Sequence, residues 1–124
     1  MATGHCLCGR ISFETHGEPR WVAYCHCASC RRHTASPVTC FVNFKRDEVH
    51  FHSTPATYAS SPGVTRSFCP ACGTPIAYQT EQRADEIDLY VNAFDDPEQF
   101  QPTSHVFYGE RIGWLDLKDD LPKK

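Results

Sequence analysis

Apolar residues along this chain recur at every second position, in short runs broken by turn residues. Period two is the pattern of a strand with one buried face. Arg10-Ile11-Ser12-Phe13-Glu14-Thr15 alternates in this way, and Trp21-Val22-Ala23-Tyr24 follows it after a turn at Gly17-Glu18-Pro19. Val38-Thr39-Cys40-Phe41-Val42-Asn43-Phe44 is rich in β-branched and aromatic residues and suits a buried strand. Shorter strands are expected at Val49-His50-Phe51, Ala56-Thr57-Tyr58, Val64-Thr65-Arg66-Ser67-Phe68 and Ile76-Ala77-Tyr78. The longest alternation runs over residues 86–94, and two last strands are expected around His105-Val106-Phe107-Tyr108 and Ile112-Gly113-Trp114-Leu115. Phe41, Phe44, Phe94 and Trp114 are the expected core aromatics, with Trp21 or Tyr24 as a pocket wall. Helix is expected only as single turns. One spans residues 28–33; the other spans 95–100, with Asp95 or Asp96 as its cap and Pro97 at its first helical position. The fold class is all-β, a small β-sandwich-like domain with short helical turns only.

At 124 residues the chain is expected to be a single domain, long enough for a core yet small enough to gain from metal staples. No apolar run is long enough to span a membrane. The opening MATGHCLCGR has neither a basic nor an apolar leader segment, so no secretory signal is expected and the setting is read as cytoplasmic. In a reducing compartment, clustered cysteines mean metal or catalysis more often than disulfides. A formal net charge of −3, more acidic still once thiolates ligate metal, argues against nucleic acid as a partner. The tail Lys118-Asp119-Asp120-Leu121-Pro122-Lys123-Lys124 is mixed in sign and reads as solvated. The sequence carries no signature of an oligomeric state.

Seven of the eight cysteines fall into three groups: Cys6-Leu7-Cys8-Gly9, Cys25-His26-Cys27-Ala28-Ser29-Cys30, and Cys69-Pro70-Ala71-Cys72-Gly73. Zinc binds such thiolates well, and a tetrahedral ion needs four. The two Gly-terminated pairs, Cys6 and Cys8 with Cys69 and Cys72, supply four together. Gly9 suits a positive φ that turns N–H groups toward sulfur. A disulfide within Cys6-Leu7-Cys8 is disfavoured, because C-x-C spacing seldom meets disulfide geometry. A site tying residue 6 to residue 72 makes metal binding part of folding, so its expected role is structural.

The central triplet, Cys25, Cys27 and Cys30, is one ligand short. That leaves two readings: a catalytic zinc open to water or substrate, or a second structural zinc closed by His26, His5 or Cys40. His26 faces away from its neighbours if the backbone is extended, and Cys40 sits in an apolar run where a thiol acts as a small hydrophobe. Arg31 and Arg32 are candidates for binding a substrate carboxylate, or simply charges beside the thiolates. His33 is a proton shuttle or a bystander, and His50 and His52 are expected to face solvent.

The ordered set G-H-C-L-C-G (4–9), C-H-C-A-S-C-R-R (25–32), F-C-P-A-C-G-T-P (68–75) and F-D-D-P-x-x-F-x-P (94–102) resembles the glutathione-dependent formaldehyde-activating enzyme family, also called the centromere protein V family. The likeness runs from Gly4 to about Trp114. It implies an Mss-four-like zinc-binding β fold, a structural zinc on Cys6, Cys8, Cys69 and Cys72, and a catalytic zinc on Cys25, Cys27 and Cys30. It also implies a carbon–sulfur lyase acting on S-hydroxymethylglutathione, with glutathione, a small-molecule thiol, as substrate or co-substrate. One stretch departs from the family: many members carry a Gly within three residues of the Arg pair, and this chain has His33-Thr34-Ala35-Ser36-Pro37. The rival reading is a zinc-stabilised binding module with two structural metals and no catalysis.

Overall fold

The alternation is realised in ten strands, and the computed structural model of the protein describes residues 1–124 throughout. Three short strands, β1 (Ala2–His5), β2 (Ser12–Thr15) and β5 (Val49–Phe51), form an antiparallel sheet in the order β1-β2-β5. The other seven are β3 (Trp21–Cys25), β4 (Thr39–Lys45), β6 (Ala56–Ser61), β7 (Val64–Phe68), β8 (Pro75–Thr80), β9 (Glu86–Tyr90) and β10 (Ser104–Val106). They lie in the order β10-β3-β4-β9-β8-β7-β6, antiparallel except for the parallel pair β10–β3. The fold is all-β, as expected. No helix is long and apolar enough to cross a membrane.

Register sorts the larger sheet into two chemically different faces. Val22 pairs with Val42, Val42 with Leu89 and Phe44 with Ile87, so one face is aliphatic and aromatic. It buries against Ile11, Phe13 and Val49 from the smaller sheet's side. Phe13 meets the Phe94 ring edge-on at 5.3 Å, and Phe94 packs on Phe100 at 4.5 Å. Burial of each such side chain contributes about 1.5–3 kcal/mol. On the opposite face Trp21 pairs with Asn43, Asn43 with Asp88, and Arg66 with Tyr78. That face carries the polar groups.

Several expectations need correction. Strand β1 was not foreseen, because Ala2-Thr3-Gly4-His5 has no apolar alternation; it forms because Gly4 lies against Phe13 and the Ala93 carbonyl, where any Cβ would collide. The long alternation over 86–94 stops as a strand at Tyr90, and Val91–Ala93 makes a 3-10 turn that swings Phe94 into the core. Pro97 does open a 3-10 turn, Pro97–Gln99, but no aspartate side chain caps it. Asp95 instead accepts from Thr3 Oγ1 at 2.6 Å and faces His5 Nε2 at 3.2 Å. The strand around His105 ends at Val106, because Phe107 turns left-handed with φ 51°. No strand forms at residues 112–115, and Trp114 is 72% exposed rather than in the core.

The tail is not merely solvated. The His105 N–H donates to the Pro122 carbonyl at 2.8 Å, and the Lys124 N–H donates to the His105 carbonyl at 2.8 Å. These are backbone bonds that no hydrophobic pattern announces.

Helix α1 (Ala28–Thr34) is longer than the single turn expected and ends on Ala35, whose φ of 52° is left-handed. Ala35 and Ser36 N–H groups close the end onto the Arg32 and Arg31 carbonyls at 3.4 and 3.2 Å. Glycine is at home in this position, and the chain here places an alanine where the turn wants no Cβ. Ala35→Gly is expected to raise stability by about 1 kcal/mol in urea unfolding. Unchanged or lower stability would show that the left-handed cap is unstrained.

Candidate metal centre

Two loops of matching form carry the outer cysteines. In the loop after β1, the Cys6 N–H donates to the Ile11 carbonyl at 2.9 Å and the Gly9 N–H to the Cys6 carbonyl at 3.0 Å. In the loop after β7, the Cys69 N–H donates to the Thr74 carbonyl at 3.0 Å and the Gly73 N–H to the Cys69 carbonyl at 2.9 Å. Gly9 and Gly73 make these reversals with φ of 83° and 80°. The turns aim amide donors at sulfur: Ile11 N–H at Cys6 Sγ (3.2 Å), and Ala71 and Cys72 N–H at Cys69 Sγ (3.3 and 3.4 Å). The Leu7 N–H donates to Thr74 Oγ1 at 3.0 Å and stitches the loops together.

All four sulfurs, of Cys6, Cys8, Cys69 and Cys72, lie within 4.8 Å of one another. Cys6 to Cys8 is 3.6 Å and Cys8 to Cys69 is 3.8 Å. Metal–sulfur bonds of about 2.3 Å, as zinc makes, place tetrahedral sulfurs about 3.8 Å apart. The donor set therefore fits a four-thiolate metal ion. The Thr74 hydroxyl, already accepting from Leu7, donates to Cys72 Sγ at 3.1 Å and, with the Thr74 backbone amide, pulls that thiol down to about 5. A thiolate is the form that ligates.

The central triplet lies where β3 runs into α1. Cys25 and Cys30 are buried with sulfurs 3.7 Å apart, while Cys27 is half-exposed and not drawn into a comparably tight group. The two sulfurs are within reach of a single S–H···S hydrogen bond. Through its bond to Cys30 the Cys25 thiol is held below its ordinary range despite burial, and the same bond with burial pushes Cys30 well above it. Cys40 is remote in chemistry: burial alone raises its thiol to about 12, in keeping with a small hydrophobe.

All three triplet cysteines line a cavity of about 330 Å³ on the polar face of the larger sheet, with Trp21, Phe41, Tyr78 and Val106 as apolar walls. Trp21 is thus the pocket wall, and Tyr24 instead stacks on His105 at 4.9 Å. Arg31 and Arg32 do not line the cavity. Arg31 donates to the carbonyls of His26 (3.2 Å) and Glu110 (3.0 Å), and Arg32 is exposed.

The cavity's cations are Arg66 and Arg83, which sequence reasoning missed. Arg83 is held by Asp88 at 2.7 Å and Glu86 at 3.0 Å. Arg66, 5% exposed, has no carboxylate partner; its guanidinium donates to Ser60 Oγ (3.1 Å), Cys30 Sγ (3.5 Å) and Tyr90 Oη (3.2 Å). Tyr90 Oη also hydrogen-bonds His33 Nδ1 at 2.8 Å. Burial, then the Arg66 charge, lowers His33 below its ordinary value. His33 is therefore wired to the cavity. Of these, only Tyr90 stood out as a polar alternate, with Asp88 and Glu86 in β9; Arg66 shares its parity with Val64 and Phe68, and Arg83 lies in the 3-10 turn Glu81–Arg83.

An all-β chain with a four-sulfur cluster and a cysteine-lined cavity is the class of protein these features define. The sequence profile of the glutathione-dependent formaldehyde-activating enzyme family matches residues 1–110, and the chain belongs to that family. Membership ties it to glutathione-linked chemistry. A crystal structure of a Rhodobacter sphaeroides protein is similar in fold, with a TM-score of 0.63 at 15% identity over 98% of this chain and 99% of that one. No curated protein matches the chain.

Binding of a structural zinc is worth about 10–16 kcal/mol, comparable to or above the whole stability of a domain. Cys72→Ser is accordingly expected to abolish cooperative thermal unfolding, whereas Cys27→Ser keeps a transition within a few degrees of the parent. Equal loss in both variants, read by circular dichroism, would contradict the division into an outer brace and an inner site.

Proposed function

We propose that the protein is a zinc-dependent carbon–sulfur lyase acting on a thiol adduct, with S-hydroxymethylglutathione formed or cleaved. The observation that carries the reading is the cavity itself: three cysteine sulfurs beside a buried guanidinium that lacks a carboxylate. In this reading Cys6, Cys8, Cys69 and Cys72 hold a structural zinc, and Cys25, Cys27 and Cys30 hold a catalytic one. A zinc with three protein ligands supplies, when bound, a Lewis-acid position for a sulfur or oxygen of the substrate.

The chain's own residues do the rest. Arg66 offers its charge to a carboxylate of the tripeptide, which solves the problem of an uncompensated buried cation. Arg31 and Arg32 add positive charge along α1. Trp21, Phe41 and Tyr78 keep bulk water from the reacting carbon. In cleavage the hydroxymethyl O–H gives up its proton, the carbonyl of formaldehyde forms, and the C–S electron pair leaves with sulfur, which ends with that proton as the free thiol; synthesis is the reverse. The Arg66–Tyr90–His33 chain lies beside the sulfurs as a fixed path for hydrogen bonds.

A second reading is favoured by one observation: only the outer four sulfurs are tightly gathered. On that ground the protein is a metal-stabilised binding module without catalysis. Titrating glutathione into the cobalt-substituted protein separates the two. The lyase reading expects the thiolate-to-metal absorbance of one of two sites to change, and Arg66→Ala to weaken the response about tenfold or more, the loss of a charge-assisted hydrogen bond. Silence at both sites would support the module.

A further inference from the structure

Beyond the outer brace and the cavity, the molecule holds one more buried polar array. His26 sits between Cys25 and Cys27 and is 2% exposed; His105 of β10 is 1% exposed. His26 Nε2 and His105 Nδ1 are 2.8 Å apart, and His105 Nε2 lies 2.9 Å from Asp119 Oδ2. Asp119 belongs to the tail, beyond the residues that the family profile covers. Its other oxygen accepts from the Leu121 N–H at 3.0 Å, which fixes the carboxylate. Tyr108 closes the array edge-on against both imidazoles, at 5.3 and 5.4 Å.

The bonding order is determined by the end that can only accept. Ionised Asp119 takes the proton of His105 Nε2, so His105 accepts at Nδ1 from His26 Nε2–H. His26 is then left with a bare Nδ1 lone pair, which is buried without a partner. The backbone reinforces the ring chain. The His26 N–H donates to the Val106 carbonyl at 3.1 Å, and the Ala28 N–H donates to Glu110 Oε1 at 3.1 Å. The loop bearing Cys25 and Cys27 is thus attached to the C-terminal segment at several points.

We infer that Asp119 is a positioning residue for the cysteine loop: acting through His105, it fixes the ring of His26 and with it the placement of Cys25 and Cys27. The inference rests on the proposed function only in taking this loop as the reactive centre. The tail is then a working part of the site, holding the loop through His105.

The test uses the full-length, metal-loaded protein and two readouts that need no turnover. Long-range proton–nitrogen spectra of the imidazoles report tautomers, and amide hydrogen exchange reports loop order. The wild type is expected to show both His105 and His26 as single Nε2–H tautomers. In Asp119→Ala, His105 is expected to lose its single tautomer, and amides of residues 26–31 are expected to exchange at least tenfold faster, with β4 and β9 unchanged. Asp119→Glu is expected to recover most of the protection and Asp119→Asn less. Unchanged tautomers and exchange in Asp119→Ala would overturn the inference. So would a uniform acceleration across the whole sheet, which would make Asp119 a general stabiliser. A wild type that holds metal only at the outer cysteines would defeat the lyase reading and leave these readouts still decisive for Asp119.

Discussion

Four sulfur atoms meet beside the core that the two sheets share. Cys6 and Cys8 belong to the loop that joins β1 to β2 in the smaller sheet, and Cys69 and Cys72 to the loop that joins β7 to β8 in the larger. The smaller sheet has strands of only three or four residues, too short to stand alone. Its contribution to the core is essentially Ile11, Phe13 and Val49. Closing a chain segment of 61 residues costs entropy that grows slowly with length, so a metal at this point is an efficient brace. The two loops are built for it: a left-handed glycine in each, and amides already aimed at sulfur.

With the smaller sheet braced, one face of the larger sheet is covered and the other is free to carry chemistry. The same period-two rule that sends Val42, Phe44, Ile87 and Leu89 inward sends Phe41, Asn43, Asp88 and Tyr90 to the cavity side. Asp88 is only 3% exposed yet is fully engaged by Asn43 and Arg83. Arg66 is the exception, buried without an anion. That asymmetry is the ground for the proposal of a negatively charged ligand there, and it follows from strand register rather than from any motif.

Much of this was legible in the sequence. The all-β class, the strand series from β2 to β8, the helical turn after the triplet and the Gly-terminated cysteine pairs all followed from alternation and turn chemistry. What escaped had physical reasons. Strand β1 exists because Gly4 permits close approach to Phe13, a fact of packing that its polar neighbours Thr3 and His5 conceal. The stretch 91–94 alternates like a strand but is bent by a 3-10 turn so that Phe94 reaches the core from the end. Trp114 has the composition of a core residue and no surface to pack against. In the site, the cysteines stand out as a motif, whereas Arg66, Tyr90, His105 and Asp119 are single polar residues whose convergence depends on pairing across the sheet. The Arg31-Arg32 pair drew notice by adjacency, yet the cavity wall uses Arg66 from β7.

A crystal structure of the freshly purified protein, with metals identified by anomalous scattering at the zinc edge, tests the central claim most directly. Two ions are expected: one enclosed by Cys6, Cys8, Cys69 and Cys72, the other bound by Cys25, Cys27 and Cys30 with a coordination position facing the cavity. A single ion, or a second one sealed by a fourth protein side chain such as His26, would contradict it.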